Sequence, residues 1–467
     1  MPLPSGPAER KAPQGPLPSG PLDRKHGGGV ALRSTDDEAE VRSASPGEQA
    51  AASDSTAQGN KYTFFVGPGN NSELVRQTFE RRAWWELGKE DDPELNLKWL
   101  QVRSKPVADA VRKAGSKQFL NHLDGLQCIG RKNELYVNLR SYCERERLDV
   151  HSMAPPTFIV SAGEACSEYN EFARICKAMD NKIRASNART DVKGPASPSK
   201  KVAGTDDSAS EASTQIAEVK SPSKGKKDDG GKSPRKNKPG ATRGDAIGSI
   251  NTAGTSNIWI VKPTNNNRGN GIKVFNTFQQ IDEHLRKKSL GTAVVVQKYI
   301  ERPLLYKGRK FDIRQLVLVD NNMNIYVYKE FYVRTSTTAY DIDNMQDLFI
   351  HLTNYAVQKK KKKGKPEREL DEDEMDEDDE AQEEGNNLSM EELNEYLEAE
   401  GYPMNCAGVM KRIHDIVTKL FLAVWRKLDP LREKNTFEIF GLDFLLDEEM
   451  NVWVIEVNTN PYIGECA

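Results

Sequence analysis

Phe437-Glu-Ile-Phe-Gly-Leu-Asp443-Phe-Leu-Leu446 and Val452-Trp-Val-Ile-Glu456-Val-Asn458 flank a short polar turn near the carboxyl end of the chain. Both runs are rich in β-branched and aromatic residues, which predicts two antiparallel strands over 437–446 and 452–457. Alternate side chains of a strand share a face, so Glu456 and Asn458 project together. If Asp447 closes against Val452 around a four-residue loop, Asp443 stands directly opposite Glu456, about 5 Å away. Two carboxylates and an amide oxygen that close make a hard-oxygen cage suited to Mg²⁺. Without a cation they are an uncompensated charge cluster. The competing reading is a surface hairpin whose acidic face meets water. Both carboxylates interrupt otherwise apolar strands, which favours the cage.

Three further segments carry chemistry-bearing side chains. In Asn257-Ile-Trp-Ile-Val-Lys262-Pro-Thr264 a strand delivers Lys262, and the loop Asn265-Asn-Asn-Arg268-Gly269-Asn-Gly271-Ile272 follows. Backbone amides of such a loop cradle phosphates, with Lys262 in reach of their charge. A Gly-x-Gly alone fits an ordinary hairpin turn equally well, and the lysine at the strand end tips the balance. In Arg309-Lys310-Phe-Asp312-Ile-Arg314 the residues Lys310, Asp312 and Arg314 fall at i, i+2 and i+4. One strand thus presents three charges on one face, while Phe311 and Ile313 point to a core. A solvated edge strand would look the same, but the buried pattern Leu316-Val-Leu-Val319 continues the run and places the charges along a cleft. Val294-Val-Val-Gln297-Lys298-Tyr299-Ile300 is an apolar strand whose end offers backbone groups to an adenine edge between two lobes; a plain core strand is the alternative. Arg334 in Val333-Arg334-Thr335-Ser336 and Asn354 in His351-Leu-Thr-Asn354 are weaker candidates, and His351 reads as structural.

Composition sets the outer limits. The chain has 467 residues, 29% of them charged, and a mean hydropathy of −0.71, too polar for one continuous globule. Residues 1–60, 189–248 and 359–390 are expected to stay disordered, because they carry too little apolar surface to offset ordering entropy. Roughly 315 residues remain, room for two or three domains. No apolar run approaches the roughly 20 residues that span a bilayer, which excludes an integral helical membrane protein. The start, MPLPSGPAERK, lacks an apolar core segment, so no secretory signal is expected. Six cysteines without a CxxC pair point to a reducing compartment, with neither a disulfide framework nor a structural zinc site. Net charge is −3 and names no partner.

Order is expected to begin at Lys61-Tyr-Thr-Phe-Phe-Val66, a short strand ended by Gly67-Pro68-Gly69. A helix from Ser72 to Leu87 follows, with Ser72 as N-cap. A helix over Asn133–Glu146 and a strand over Thr157–Val160 complete an α/β domain at 61–188. After the Ser/Pro/Lys linker 189–248 comes a strand-rich lobe at 249–358, and after the insertion 359–390 a closing lobe at 391–467. The closing lobe carries helices Met390–Ala399 and Val409–Lys427. The linker repeats a Ser-Pro-x-basic tetrad at Ser197, Ser221 and Ser233: a solvated linker, a phosphorylation cluster or a nucleic-acid contact. The insertion sets a lysine run, Lys359–Lys363, against an acidic run, 371–384; both read as a solvated loop, or the lysines attract an acidic partner.

Taken in order, Lys262-Pro…Arg268-Gly-Asn-Gly271-Ile, Gln297-Lys-Tyr-Ile-Glu-Arg-Pro-Leu-Leu305, Lys310-Phe-Asp-Ile-Arg314, His351-Leu-Thr-Asn354, Phe440-Gly-Leu-Asp443-Phe and Ile455-Glu-Val-Asn458 resemble the tubulin tyrosine ligase-like family. The resemblance covers most of 61–182 and 256–460. It implies an ATP-grasp fold, an α/β architecture with a small N-terminal domain and two lobes enclosing a nucleotide. It implies an ATP-dependent ligase in which a carboxylate is phosphorylated and an amine attacks the acyl phosphate. By motif, Asp443, Glu456 and Asn458 would hold Mg²⁺, two ions in all, and Lys262 with Arg268, Gly269, Gly271 and Ile272 would hold phosphates. Gln297, Lys298, Tyr299 and Ile300 would form the adenine hinge, and Asn354 would be a further cofactor-binding residue. Lys310, Asp312, Arg314 and Arg334 would position substrate groups. Lys132, in Gly130-Arg131-Lys132, resembles the family's N-terminal lysine that faces the nucleotide.

The implied partners are the acidic tubulin C-terminal tail and a free amino acid, with no membrane and no nucleic acid. The implied location is cytoplasmic, on microtubules, including those of a cilium or flagellum. Asn324-Ile-Tyr…Arg334-Thr-Ser and the closing strands favour tyrosine as the residue added. Arg314-Gln315 and Tyr328-Lys-Glu…Tyr332 resemble the glycylating branch, and glutamate is a third option. Nine residues follow Asn458, where the family continues further, so a fragment, a chain of reduced activity and an inactive tubulin-binding relative stand as alternatives.

Overall fold

A computed structural model describes residues 32–34, 61–113, 117–161, 166–191, 256–264, 269–288, 292–362 and 387–464. The Ser-Pro tetrads, the acidic run and Arg268 lie outside these residues. Among the described residues the fold is mixed α/β, built on three sheets. Four short parallel strands form the first, in the order Trp85–Leu87, Tyr62–Val66, Leu97–Trp99, Phe119–Leu120. The second is antiparallel: Thr157–Ser161, Ala293–Lys298, Trp259–Pro263, Lys273–Phe275. Thr157–Ser161, read with the first block in the sequence, therefore pairs with strands of the second. The third and largest sheet runs through Ile325–Ala339, Arg309–Asp320, Phe437–Leu446 and Val452–Thr459, with short strands at its margins.

Alternation along these strands explains the core. Phe311 and Ile313 join the main apolar cluster with Phe440, Leu442 and Phe444, and the helix Cys406–Val424 lays Val409, Ile413, Val417, Leu420 and Phe421 against it. Truncating one of these buried leucines to alanine is worth about 2–5 kcal/mol. That helix starts three residues before the expected Val409 because Asn405 caps it, its side chain accepting from Gly408 N–H. The helix Met390–Ala399 has the expected bounds, fixed by a capping box between Ser389 and Glu392.

The N-terminal reading needs three corrections. The helix after Val66 spans Ser72–Glu80 only. Ser72 is its first residue rather than its cap; the cap position is Asn71, left-handed at φ 64° with no capping side-chain bond. Its side chain is used elsewhere, donating to Pro461 O at 2.8 Å and accepting from Ile463 N–H at 2.9 Å. Trp85–Leu87, expected as helix, is a strand parallel to Tyr62–Phe64. Two adjacent tryptophans suit a pleated surface better than a helix, and Trp85 packs edge-on against Phe79 at 4.8 Å. Structure also reaches into stretches expected to be disordered: Leu32–Ser34 pairs in parallel with Ile325–Val327, Asn387–Ser389 pairs with Tyr332–Arg334, and a helix extends over Tyr355–Lys362. Backbone pairing at a sheet edge needs no apolar side chains, so composition gave no warning.

The closing hairpin departs from the register first drawn. Leu446, not Asp447, pairs with Val452. Asp447 instead gathers the turn, its carboxylate accepting from Glu449 N–H, Asn451 N–H, the Asn451 amide and Trp453 Nε1–H. A bulge at Ile455 then absorbs one residue, so that Asp443 does face Glu456 and Gly441 faces Asn458.

Candidate nucleotide site

Strand ends from the second and third sheets converge on one cleft. Its lining includes Lys262 and Ile260 from one strand, Gln297 through Ile300 from the next, and Lys310 and Asp312 from a third. Thr353 and Asn354, Gly269 and Ile272, Asp443, Glu456 and Lys132 also line it, with His351, Leu445 and Ile455 among the rest. Lys132 opens the helix Lys132–Glu146 and reaches across from the N-terminal part. Gly271, Arg314, Arg334 and Asn458, also expected at the site, do not line this cleft. Asn458 instead faces an adjoining hollow with Arg131, Thr264 and Gln127, and Lys132 and Glu456 line both spaces.

Lys262 is buried and donates to Gln297 Oε1 at 2.8 Å, while Gln297 in turn donates to Thr157 Oγ1 at 2.9 Å. Burial lowers the Lys262 amine to about 8, with Lys132 adding repulsion and Glu456 opposing it. Burial lowers Lys310 further, to about 7, with Lys262 adding repulsion. Beside them the glycine loop turns through left-handed backbone at Gly269 (φ 79°) and Gly271 (φ 73°). A Cβ at Gly269 would stand 2.8 Å from Val357 Cγ2, so the loop also needs glycine for close packing.

The acidic residues are organised differently from a bare oxygen cage. Asp312 sits opposite Arg334 and Asp443 opposite Arg314 across the sheet. Arg334 grips Asp312 with two bonds of 2.7 Å and reaches Asp443 Oδ2 at 3.0 Å. Arg314 donates to both Asp443 oxygens through Nε and Nη2. Asn458 turns its amide N–H, not its oxygen, to Asp443 Oδ2 at 3.1 Å. Burial works against ionisation of Asp443, but the two arginines outweigh it and hold the carboxyl at about 2. Glu456 faces the Lys132 ammonium at 3.3 Å. Among the described residues no cluster of three or more His, Cys, Asp or Glu side chains is arranged to hold a metal, so any cation here would rest on Asp443 and Glu456 with Asn458 beside them. Two carboxylates at the cleft still match the usual demand of Mg²⁺, which takes one or two carboxylates and fills its shell with substrate phosphates and water.

Two of the residues assigned to the adenine hinge direct their side chains elsewhere. Lys298 is buried in an ion pair with Glu301, and its backbone N–H donates to Pro156 O at 2.7 Å. Tyr299 N–H donates to Ile258 O at 3.1 Å, and its hydroxyl meets Lys310 Nζ and His351 Nδ1, both at 2.9 Å. Sequence reading missed Thr353, whose hydroxyl donates to Asp312 Oδ2 at 2.6 Å, and treated His351 as structural only. Both lie in the quartet His351-Leu-Thr-Asn354, where that signal stood.

Residues 232–466 match the model of the Tubulin-tyrosine ligase family. Over 215 residues, 45% of this chain, the sequence is 38% identical to "Tubulin glycylase 3D" of Tetrahymena thermophila, covering 19% of that protein. It is 37% identical over 218 residues, 45% of this chain, to "Tubulin glycylase 3A" of Drosophila melanogaster, covering 20% of it. It is 33% identical over 216 residues, 44% of this chain, to human "Tubulin polyglutamylase TTLL5", covering 16% of it. The match thus spans about a fifth or less of the length of these three relatives.

Proposed function

This chain belongs to the tubulin-tyrosine ligase family, and from that premise we propose that it is an ATP- and Mg²⁺-dependent ligase that joins an amino acid to the acidic tail of tubulin. Its two larger sheets act as the lobes of an ATP-grasp fold, with the nucleotide between them. The observation that carries the reading is the meeting of Lys132, Lys262 and Lys310 with Asp443 and Glu456 in one cleft. Two buried lysines with a third at the rim suit a triphosphate, whose charge would offset their mutual repulsion.

In this reading Lys262, Lys310 and the glycine loop, with Arg268, bear on the phosphates. The backbone from Gln297 to Ile300 and the side chains of Ile260, Leu445 and Ile455 hold the base, and Asn354 borders the phosphates. Asp443 and Glu456 would hold Mg²⁺, with Asn458 oriented beside them; the ion would offset phosphate charge and orient the transferred group. Arg314 and Arg334 act from behind, keeping Asp443 ionised and Asp312 fixed, a preorganised charge set for an acyl phosphate developing nearby. The adjoining hollow, with Arg131 at its wall, admits the acidic tail, whose approach is quickened by charge attraction.

The residue added is proposed to be glycine, since several of the more similar relatives carry glycylase in their names, and glutamate is the second reading on the strength of the polyglutamylases. Tyrosine, favoured by the sequence motifs, has no relative behind it among these. The proposed location is the microtubule cytoskeleton; no helix among the described residues is long and apolar enough to cross a membrane. The test is to incubate the protein with tubulin, ATP, Mg²⁺ and each labelled amino acid, then weigh the tails by mass spectrometry. A glycine increment is expected, a glutamate increment would replace that choice, and no increment from any amino acid would overturn the ligase reading.

A further inference from the structure

We propose that His351 and Tyr299 are positioning residues that aim the ammonium of Lys310 at a bound triphosphate, an inference that rests on the nucleotide reading above. His351 is buried, and its Nε2 lies 3.0 Å from Asn344 O. A carbonyl only accepts, so Nε2 carries the hydrogen. Burial favours the neutral ring, which leaves Nδ1 as an acceptor. The Tyr299 hydroxyl, 2.9 Å away, must then donate to Nδ1. Its oxygen is thereby turned to accept from Lys310 Nζ, also at 2.9 Å, and a second Lys310 N–H reaches His351 O at 3.0 Å. The ammonium also lies over the Tyr299 ring, 4.4 Å from its centroid. Two of the three N–H donors are held inside the protein, and the residue lines the cleft, so the third is the one an anion can take.

The direction of the chain follows from the fixed carbonyl at Asn344; Tyr340, the other hydroxyl beside Tyr299, gives its own hydrogen to Glu301 O, and the hydrogen of Tyr299 goes to the bare Nδ1. Facing Lys310 are Lys262 from the strand Trp259–Pro263 and Asp312 from its own strand. The Asp312 carboxylate is already taken by Arg334 and Thr353. Facing His351 are Lys310, Asp347 and Asp341, and near the Tyr299 hydroxyl are Tyr340 and Glu301. Asp312 favours a charged Lys310 through its field, and the Tyr299 hydroxyl and His351 carbonyl supply the acceptors that hold its N–H groups.

The experiment is calorimetric binding of Mg-ATP by the full chain as a function of pH. In Tyr299→Phe the ring and its packing stay and only the hydroxyl is lost. Affinity is expected to drop about tenfold, as for a hydrogen bond to a charged group, and the loss of affinity at rising pH should begin about one unit lower than in the wild type. His351→Gln, which keeps a donor for Asn344 but carries its amide oxygen away from the place of Nδ1, should behave alike. His351→Asn, whose Oδ1 stands near the place of Nδ1, should recover affinity to within about threefold of wild type. Variants that bind with the wild-type pH midpoint overturn this inference while the nucleotide reading stands. A wild type that binds no Mg-ATP at any pH overturns both.

Discussion

Asp443 and Glu456 stand directly opposite each other on the closing strands, yet their carboxylates have different partners. Asp443 is held by Arg314, Arg334 and Asn458 inside the sheet, whereas Glu456 faces Lys132 at the rim. The division assigns them different tasks. Asp443 is locked in its charged form and position, while Glu456, on the proposed function, would leave Lys132 for the metal ion.

Glu456→Gln should therefore abolish nucleotide response at little structural cost. Thermal melting is expected to show an unliganded midpoint within about 3 °C of wild type, since a partly exposed pair contributes about 1 kcal/mol or less. The rise on adding Mg-ATP, which measures binding to the native state, should disappear.

Arg334→Ala is the opposite case. It strips Asp312 of two bonds and Asp443 of one, leaving buried carboxylates short of countercharge. Breaking a buried pair in this way costs about 3–5 kcal/mol, measurable as a lowered urea midpoint. Arg334→Lys should recover only part of it, because an ammonium cannot reproduce the two-pronged grip.

The buried lysines make binding and stability depend on pH with a defined sign. Lys310 and Lys262 fall from an ordinary 10.5 to about 7 and about 8. Between those values and 10.5 the unfolded chain holds more protons than the folded one, so their destabilising effect is full below the window and fades as pH rises through it. A triphosphate favours the protonated amines. At pH 8, calorimetry in buffers of different ionisation enthalpy should report uptake of about one proton per Mg-ATP bound, a number that should fall toward zero near pH 6.

Gly269→Ala places a Cβ 2.8 Å from Val357 Cγ2 on left-handed backbone. Strain of about 1 kcal/mol or more is expected, and Mg-ATP affinity should fall about tenfold as the loop shifts away from the helix Tyr355–Lys362. Equal affinities in the two proteins would show that the loop does not touch the nucleotide.

Much of this arrangement is legible in the chain because strands advertise themselves by alternation. Phe311 and Ile313 on one face and Lys310, Asp312 and Arg314 on the other are where a period of two puts them. The bulge at Ile455 is not legible, since an inserted residue in an apolar strand looks like any other; the right opposition of Asp443 and Glu456 was reached through a wrong loop register. Nor could the sequence announce that Arg314 and Arg334 would close on aspartates, because the Arg314–Asp443 pair joins residues 129 apart. Tyr299 was read for its backbone within an apolar run, and its hydroxyl found a partner only once the strand carrying Lys310 was placed beside it. Local signals named the groups, and tertiary pairing decided their partners.

Lys132 meets Glu456 with most of the described chain lying between them, and Glu456 sits on the last of the described strands. During synthesis, then, the proposed nucleotide pocket lacks one wall until that strand has left the ribosome. The nascent chain must hold its apolar sheets with one wall missing, and on the proposed function ribosome-bound intermediates should be blind to ATP until that strand is laid in place.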